Sequence, residues 1–170
     1  MNKKTEEILN KQIEAEAVSS QLYLAMASWA ESSGINGTAN FLYQHADEER
    51  VHMLKLVKFV NERGGRAIIP SIPAPQQDFE SLTDVFSRLL EHELMVTNMI
   101  NEVIFKCLEQ KDYTTHNFMQ WFVAEQLEEE ALARNILDKL KMIGNDKGGL
   151  YLFDRDIVTI QVGPKTGAAI

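Results

Sequence analysis

Leu42-Tyr43-Gln44-His45-Ala46-Asp47-Glu48-Glu49-Arg50-Val51-His52-Met53-Leu54-Lys55-Leu56 is the stretch on which the fold turns. At about 100° per residue, Leu42, His45, Glu49, His52 and Leu56 fall within about 80° of one another, on one side of a helix. The ends of that stripe are apolar and its middle is polar. Glu49 and His52, one turn apart, are a carboxylate and an imidazole that can share a metal ion. Glu-x-x-His is frequent by chance, so its meaning depends on whether the rest of the chain completes it.

Outward from this stretch the chain reads as helices. From Thr5 to about Ser33, apolar residues recur at three- and four-residue steps, at Leu9, Ile13, Tyr23, Leu24, Ala27 and Ala30, with no internal Gly or Pro. Gly34 to Gly37 make a turn, and Thr38 is the expected N-cap of a second helix running to about Arg63, with Phe41, Leu42, Leu56, Phe59 and Val60 inward. Pro70, Pro73 and Pro75 make Arg66–Glu80 an extended connection, long enough to travel the length of a bundle and leave the third helix parallel to the second. Ser81-Leu82-Thr83-Asp84 opens that helix as a capping box with Asp in the Glu position, and Leu89, Val96, Ile100 and Ile104 carry its stripe to about Gln110. After a turn at Lys111–Thr114, a fourth helix is predicted from about Thr115 to Ile143. Its stripe is Phe118, Phe122, Leu132, Ile136 and Leu140, and Gly144 stops it. Beyond a Gly148-Gly149 hinge, about 149–160 form a short C-terminal helix, and 161–170 a tail. The expected fold is all-α, one domain over 1–170, a four-helix bundle (about 5–143) with one long crossover between helices two and three.

Composition narrows the partners. A chain of 170 residues with 45% hydrophobic and 25% charged residues can bury one sizeable core. A net charge of -8 without a clustered basic patch argues against nucleic acid and anionic membrane as partners. No apolar run approaches the ~20 residues of a membrane span. The acidic start, with no signal-peptide pattern, and the single Cys107 suit a cytoplasmic, reducing location.

All four stripes are interrupted by polar residues at one level. Helix one places Glu16 and, seven residues on, Tyr23 along its core line; helix two has His45, Glu49 and His52; helix three has Glu93; helix four has Glu125, Gln126 and Glu129. Glu16 and Glu49 are 33 residues apart, as are Glu93 and Gln126; Glu16 to His52 and Glu93 to Glu129 both span 36. Two hairpins packed about a pseudo-twofold axis bring all six to one height. Ionised side chains on a core face cost several kcal/mol each unless paired or bound to a cation. Glu from two helices and Glu-x-x-His from the other two is the general recipe for a di-iron or di-manganese site in a bundle core. Here the second motif is altered to Gln126-Leu127-Glu128-Glu129. Oxygen and imidazole donors without a thiolate cluster suit Fe²⁺ or Mn²⁺. Glu48, Glu125 and Glu128 lie beside them, and like charges so close call for a third, more exposed cation position.

These residues resemble the bacterial non-haem ferritin family over nearly the whole chain. The likeness rests on Glu16 to Tyr23, His45-Ala46-Asp47-Glu48-Glu49-Arg50-Val51-His52, His92-Glu93, Trp121 through Glu130, and Gly149-Leu150-Tyr151. It implies a ferritin-like bundle in which Glu16, Glu49 and His52 hold one iron and Glu49, Glu93 and Glu129 a second, with Gln126 nearby. Glu48, Glu125, Glu128 and Glu129 match a third iron site. It further implies a ferroxidase that oxidises Fe²⁺ with O₂ or H₂O₂ and stores ferric mineral inside a homo-24-mer shell. Tyr23 and Trp121 are candidate electron donors, although an aromatic on a helical core position ordinarily serves packing. Bacterioferritin, the relative most easily confused with this pattern, has a haem-ligating Met in the place of Arg50, so haem is not expected.

His45 reads as a hydrogen-bonding neighbour of a ligand, His92 as pointing about 100° away from Glu93, and His116 as a surface residue. Two further readings stand beside the ferroxidase. One is a different di-iron carboxylate oxidase; the other is a non-enzymatic scaffold or interaction bundle whose polar layer only fixes helix register.

Overall fold

The computed structural model of the protein describes residues 1–160, so the predicted tail at 161–170 lies outside the described residues. Five helices, and no strand, occur among them: α1 Lys3–Ser32, α2 Asn36–Glu62, α3 Leu82–Glu109, α4 Tyr113–Ile143 and α5 Lys147–Ile157. The 30 residues of α1 span about 45 Å at about 1.5 Å per residue. No helix among them is long and apolar enough to cross a membrane.

Two apolar clusters give the topology. One gathers Met26 and Ala30 late in α1, Phe41 and Leu42 early in α2, Phe86 early in α3 and Leu140 late in α4, closed by Phe153 and Ile157 of α5. The other gathers Leu9 and Ile13 early in α1, Leu56 and Val60 late in α2, Ile100 and Val103 late in α3, and Met119 and Phe122 early in α4. Helices α2 and α3 therefore run parallel, antiparallel to α1 and α4. The connection 63–81 crosses the whole bundle, with Ala67 packed on the second cluster and Phe79 buried in the first. Its start is tied down by side-chain amides. The Ile68 N–H donates to Asn10 Oδ1 at 2.7 Å, and the Ala67 N–H to Asn61 Oδ1 at 3.0 Å.

Several sequence expectations shift by a residue or more. The buried line of α4 is Thr115, Met119, Phe122, Gln126, Glu129, Ala133, Ile136 and Leu140, so Phe118 and Leu132 sit on its flank, only partly buried. Phe59 and Ile104 are likewise half-buried, and Leu24 is exposed. Phe59 and Phe118 find each other instead, with rings stacked at 3.7 Å. Helix α4 opens at Tyr113, before the predicted Thr115, because the Asp112 side chain accepts the Thr115 N–H at 3.0 Å and supplies the N-cap. In the Ser81 box, Ser81 Oγ accepts from the Asp84 N–H as expected, but Asp84 reaches back to the Glu80 N–H at 3.1 Å, one residue earlier than a capping box requires. The Gly148-Gly149 hinge is not a hinge. Both residues lie inside α5, capped by Asp146, and Gly149 is required there because a Cβ would stand 2.8 Å from Ile143 Cγ2.

Thr38 does not cap α2. The helix begins at Asn36 without a local side-chain cap, and its first turn is served from α5. Asp154 accepts the Gly37 N–H at 3.1 Å, the Thr38 N–H at 2.7 Å and the Thr38 hydroxyl at 2.9 Å. A carboxylate on free N–H groups at the positive end of a helix is a favourable arrangement. Gly37 permits the approach, since a Cβ there would overlap the Asp154 carbonyl oxygen at 1.8 Å. Asp154→Ala should therefore lower the unfolding free energy by about 2 kcal/mol, from one lost cap and its charged hydrogen bonds. Hydrogen exchange should show protection lost over α5 while α1 to α4 keep theirs; unchanged protection in α5 would refute the docking role.

Candidate metal centre

Between the two apolar clusters lies a polar layer to which each of the four long helices contributes. Glu16 of α1 and Glu93 of α3 are each 1% exposed; Glu49 and His52 of α2 and Gln126 and Glu129 of α4 are buried beside them. The helical repeat explains the convergence. Each residue continues an apolar stripe, so the packing that buries Leu9, Leu56, Ile100 and Met119 carries the polar residues inward with it.

Glu16, Glu49 and His52 each offer one ligand atom within 4.8 Å of the others; His52 Nδ1 is 3.4 Å from Glu49 Oε2 and 4.0 Å from Glu16 Oε2. Glu49 and Glu93 form a second set, and their third member is His45. Glu129, expected in that set, lies with His45 and Glu48 in another; a fourth joins Glu48, His52 and Glu125. Glu128 is exposed and in none of these sets. Gln126 enters as a donor: its Nε2 lies 2.9 Å from Glu93 Oε2. Tyr23, buried across the layer, donates its hydroxyl to Glu93 Oε1. His45 Nε2 sits 2.9 Å from Glu129 Oε2, an ion-pair distance, although the ring N–H is not aimed for a hydrogen bond.

Charge shows what the layer lacks. Burial pushes Glu16 up to about 7 and Glu49 well above the usual carboxylate range, and neighbouring acids push Glu49 further. Burial, with Glu129 nearby, raises Glu48 to about 7. Burial opposes the His45 cation, but Glu129, Glu93 and Glu48 outweigh it and hold the ring at about 9. The same pairing holds Glu129 down against its burial. His52, dominated by burial, falls to about 4 and is a neutral imidazole fit to ligate. Both ring nitrogens of His45, both oxygens of Glu48, His52 Nε2 and Glu129 Oε2 are buried without a hydrogen-bond partner. Buried polar atoms are ordinarily satisfied, so this concentration of orphans makes the layer a candidate ligand site. Oxygen and imidazole donors at such spacing fit Fe²⁺ or Mn²⁺.

Four supporting residues escaped the sequence reading. Gln12, fully buried four residues before Glu16, donates Nε2 to Glu16 Oε1 at 2.8 Å. Thr97, four residues after Glu93, accepts from Gln126 at 3.2 Å. A polar residue one turn from each single Glu was the available signal. His92 turns to Ser19 Oγ at 2.8 Å, and Lys55 Nζ lies 3.8 Å from the centre of the Trp121 ring, whose edge meets His52. His45, expected as a hydrogen-bonding neighbour of a ligand, belongs to two of the four candidate sets.

The raised groups make stability depend on pH in a definite direction. Between about pH 7 and pH 9 the folded metal-free protein holds protons on Glu16, Glu48, Glu49 and His45 that the unfolded chain has lost, so stability falls as pH rises through their folded values. His52 and His92, held near 4, act in the opposite sense only below about the ordinary histidine value of 6.5. The melting temperature of metal-free protein should decline from about pH 7 to pH 9, and saturating Mn²⁺ should raise it and flatten the slope. A metal-free melting temperature that climbs over this interval would contradict the burial of these carboxylates.

Comparison with known proteins agrees with the fold. Residues 6–143 match the family model described as a ferritin-like domain. The chain is 47% identical over 150 residues to a probable bacterial non-heme ferritin-like protein of Haemophilus influenzae, covering 88% of this chain and 91% of that one. It is 42% identical over 165 residues to the bacterial non-heme ferritin of Campylobacter jejuni, covering 97% and 99%. Among solved structures, a humanized archaeal ferritin superposes with a TM-score of 0.94 at 42% identity, covering 96% and 99%. An open pore ferritin of Archaeoglobus fulgidus does so at 0.93 and 41%, covering 95% and 98%. The shared bundle, matched over nearly its full length, places this chain in the ferritin family.

Proposed function

We propose that the chain is an iron-storage protein with ferroxidase activity, taking Fe²⁺ as its substrate. The observation that carries this reading is the buried layer of Glu16, Glu49, His52, Glu93 and Glu129, which gathers four carboxylates and an imidazole at ligand spacing and leaves His52 Nε2 and Glu129 Oε2 without a hydrogen-bond partner. Glu16, Glu49 and His52 receive one Fe²⁺. Glu49 reaches toward Glu93, so that a second Fe²⁺ is received by Glu49, Glu93 and Glu129 with Gln126 beside it. Glu48 and Glu125, joined by the exposed Glu128, line the way to a third position. Each Fe²⁺ yields one electron; a pair reduces O₂ with two protons to H₂O₂, or H₂O₂ with two protons to two waters. Hard carboxylates favour the Fe³⁺ formed. Tyr23 keeps its proton, because burial and Glu93 push the phenol well above its usual range, and so remains a donor that orients Glu93.

Storage follows if copies of the chain enclose a hollow shell of the 24-subunit kind. The exposed Ile68, Ile69, Leu127, Met142 and Tyr151 support association, being large apolar groups left in contact with water on a single chain. A scaffold whose polar layer only sets helix register is disfavoured, since such a layer would satisfy its own hydrogen bonds. The single buried Cys107 is in keeping with a cytoplasmic setting.

Fe²⁺ added in air should give a fast absorbance rise that saturates near two Fe²⁺ per chain. Glu49→Ala with His52→Ala should abolish this phase, slowing initial oxidation by at least about tenfold. A fast phase that survives the double substitution would overturn the site assignment. Sizing separates shell from small bundle: the shell requires a particle of several hundred kilodaltons, against 19.3 kDa for one chain.

A further inference from the structure

Two hydrogen-bonding arms reach the single carboxylates of the layer, and one continues outward. Gln126 Nε2 faces three oxygens: Glu93 Oε2 at 2.9 Å, the Glu93 carbonyl at 3.1 Å and Thr97 Oγ1 at 3.2 Å. The Thr97 hydroxyl proton is committed elsewhere, to Glu130 Oε1 at 2.7 Å. Glu130 is paired in turn with the guanidinium of Arg134, so its oxygens serve as acceptors. An ionised Glu130 accepts and cannot donate, so Thr97 must present a lone pair to Gln126. The Gln126 amide then has one permitted orientation, with NH₂ toward α3 and Oε1 turned away from Glu93.

From this chain of fixed donors and acceptors we infer that Thr97 and Glu130 are positioning residues for the second iron site, acting through the amide of Gln126 on Glu93. With the relay intact, Gln126 and Tyr23 occupy one oxygen each of Glu93 and fix the plane of its carboxylate. Without Glu130 the Thr97 hydroxyl can donate to Gln126 Oε1, and without the Thr97 hydroxyl the amide loses one of the three acceptors that hold it. The amide can then flip, presenting a carbonyl oxygen to a carboxylate and leaving Glu93 free to turn. The first site keeps its own support, because Glu16 is held by Gln12 of α1 and not by Gln126. Thr97 is only partly buried, so the isosteric Thr97→Val removes the relay without opening the core.

The inference rests on the ferroxidase reading, and titration of the metal-free full chain with Fe²⁺ under anaerobic conditions, followed by calorimetry, separates the two. The parent should bind two cations in its buried sites. Thr97→Val should weaken the second about tenfold and leave the first unchanged. Thr97→Ser, which keeps the hydroxyl, should match the parent, and Glu130→Leu should reproduce the loss. Parent-like binding of both cations by Thr97→Val, or equal weakening of both, would overturn the relay while leaving the ferroxidase reading intact. So would a Glu130→Leu protein that binds like the parent. A parent that binds no Fe²⁺ would overturn the functional reading and the relay with it.

Discussion

The fold depends on one constraint: carboxylates buried between two apolar clusters must find positive charge. Glu16, Glu49, Glu93 and Glu129 lie too deep for water to carry the solvation they give up. Protonation relieves part of the cost, which is why burial drives Glu16 to about 7. His45 relieves another part by keeping its proton beside Glu129. Neither remedy satisfies the orphaned atoms of His52, Glu48 and Glu129, and both lapse as soon as a divalent cation supplies the charge directly. A layer tuned for its own stability would replace these residues with apolar ones. Their presence on four helices at one height is what a cation-binding layer would require.

The two halves of the layer are related by sequence spacing but not by chemistry. Apart from its acidic neighbour Glu49, Glu16 receives one side-chain donor, from Gln12. Glu93 receives two, from Tyr23 and Gln126, one on each oxygen. Hydrogen bonds to a carboxylate draw off electron density that would otherwise go to a cation. The first half also holds His52, a neutral nitrogen donor, where the second has Glu129 tied to His45. Unequal halves suit a substrate that must leave.

Much of this was legible because helices write their packing into local periodicity. The polar interruptions at Glu16, Glu49, His52, Glu93, Gln126 and Glu129 were visible as breaks in apolar stripes, and their equal separations tied the hairpins together. Two members of the α4 stripe, Phe118 and Leu132, were displaced by one residue for a physical reason, while Phe122, Ile136 and Leu140 lie on the buried line. Phe118 and Leu132 are larger than Met119's neighbour Thr115 or the buried Ala133, so hydrophobicity favoured the flank over the true inner line. The contact of Asp154 with Thr38 was not legible, being made between residues 116 apart with no periodic signature. No break in an apolar stripe marks Thr97 or Glu130, and only the position of Gln126 on the neighbouring helix connects them to Glu93.

The long crossover and the central position of the layer are one fact seen twice. Glu16 lies 16 residues before the end of α1, as Glu93 does before the end of α3; Glu49 and Gln126 each lie 13 residues after the start of their helices. The turn joining α1 to α2 is at one end of the bundle, and the turn joining α3 to α4 is at the other, because 63–81 carries the chain across the full length. Hairpins pointing in opposite directions are related by an axis perpendicular to the bundle, and residues equally distant from their own turns share a height only where that axis passes. A short connection would have turned both hairpins the same way and allowed the layer at any height. With the crossover, two polar layers at matched spacing coincide at mid-bundle or not at all. Mid-bundle is also where apolar packing above and below excludes water from the carboxylates most completely.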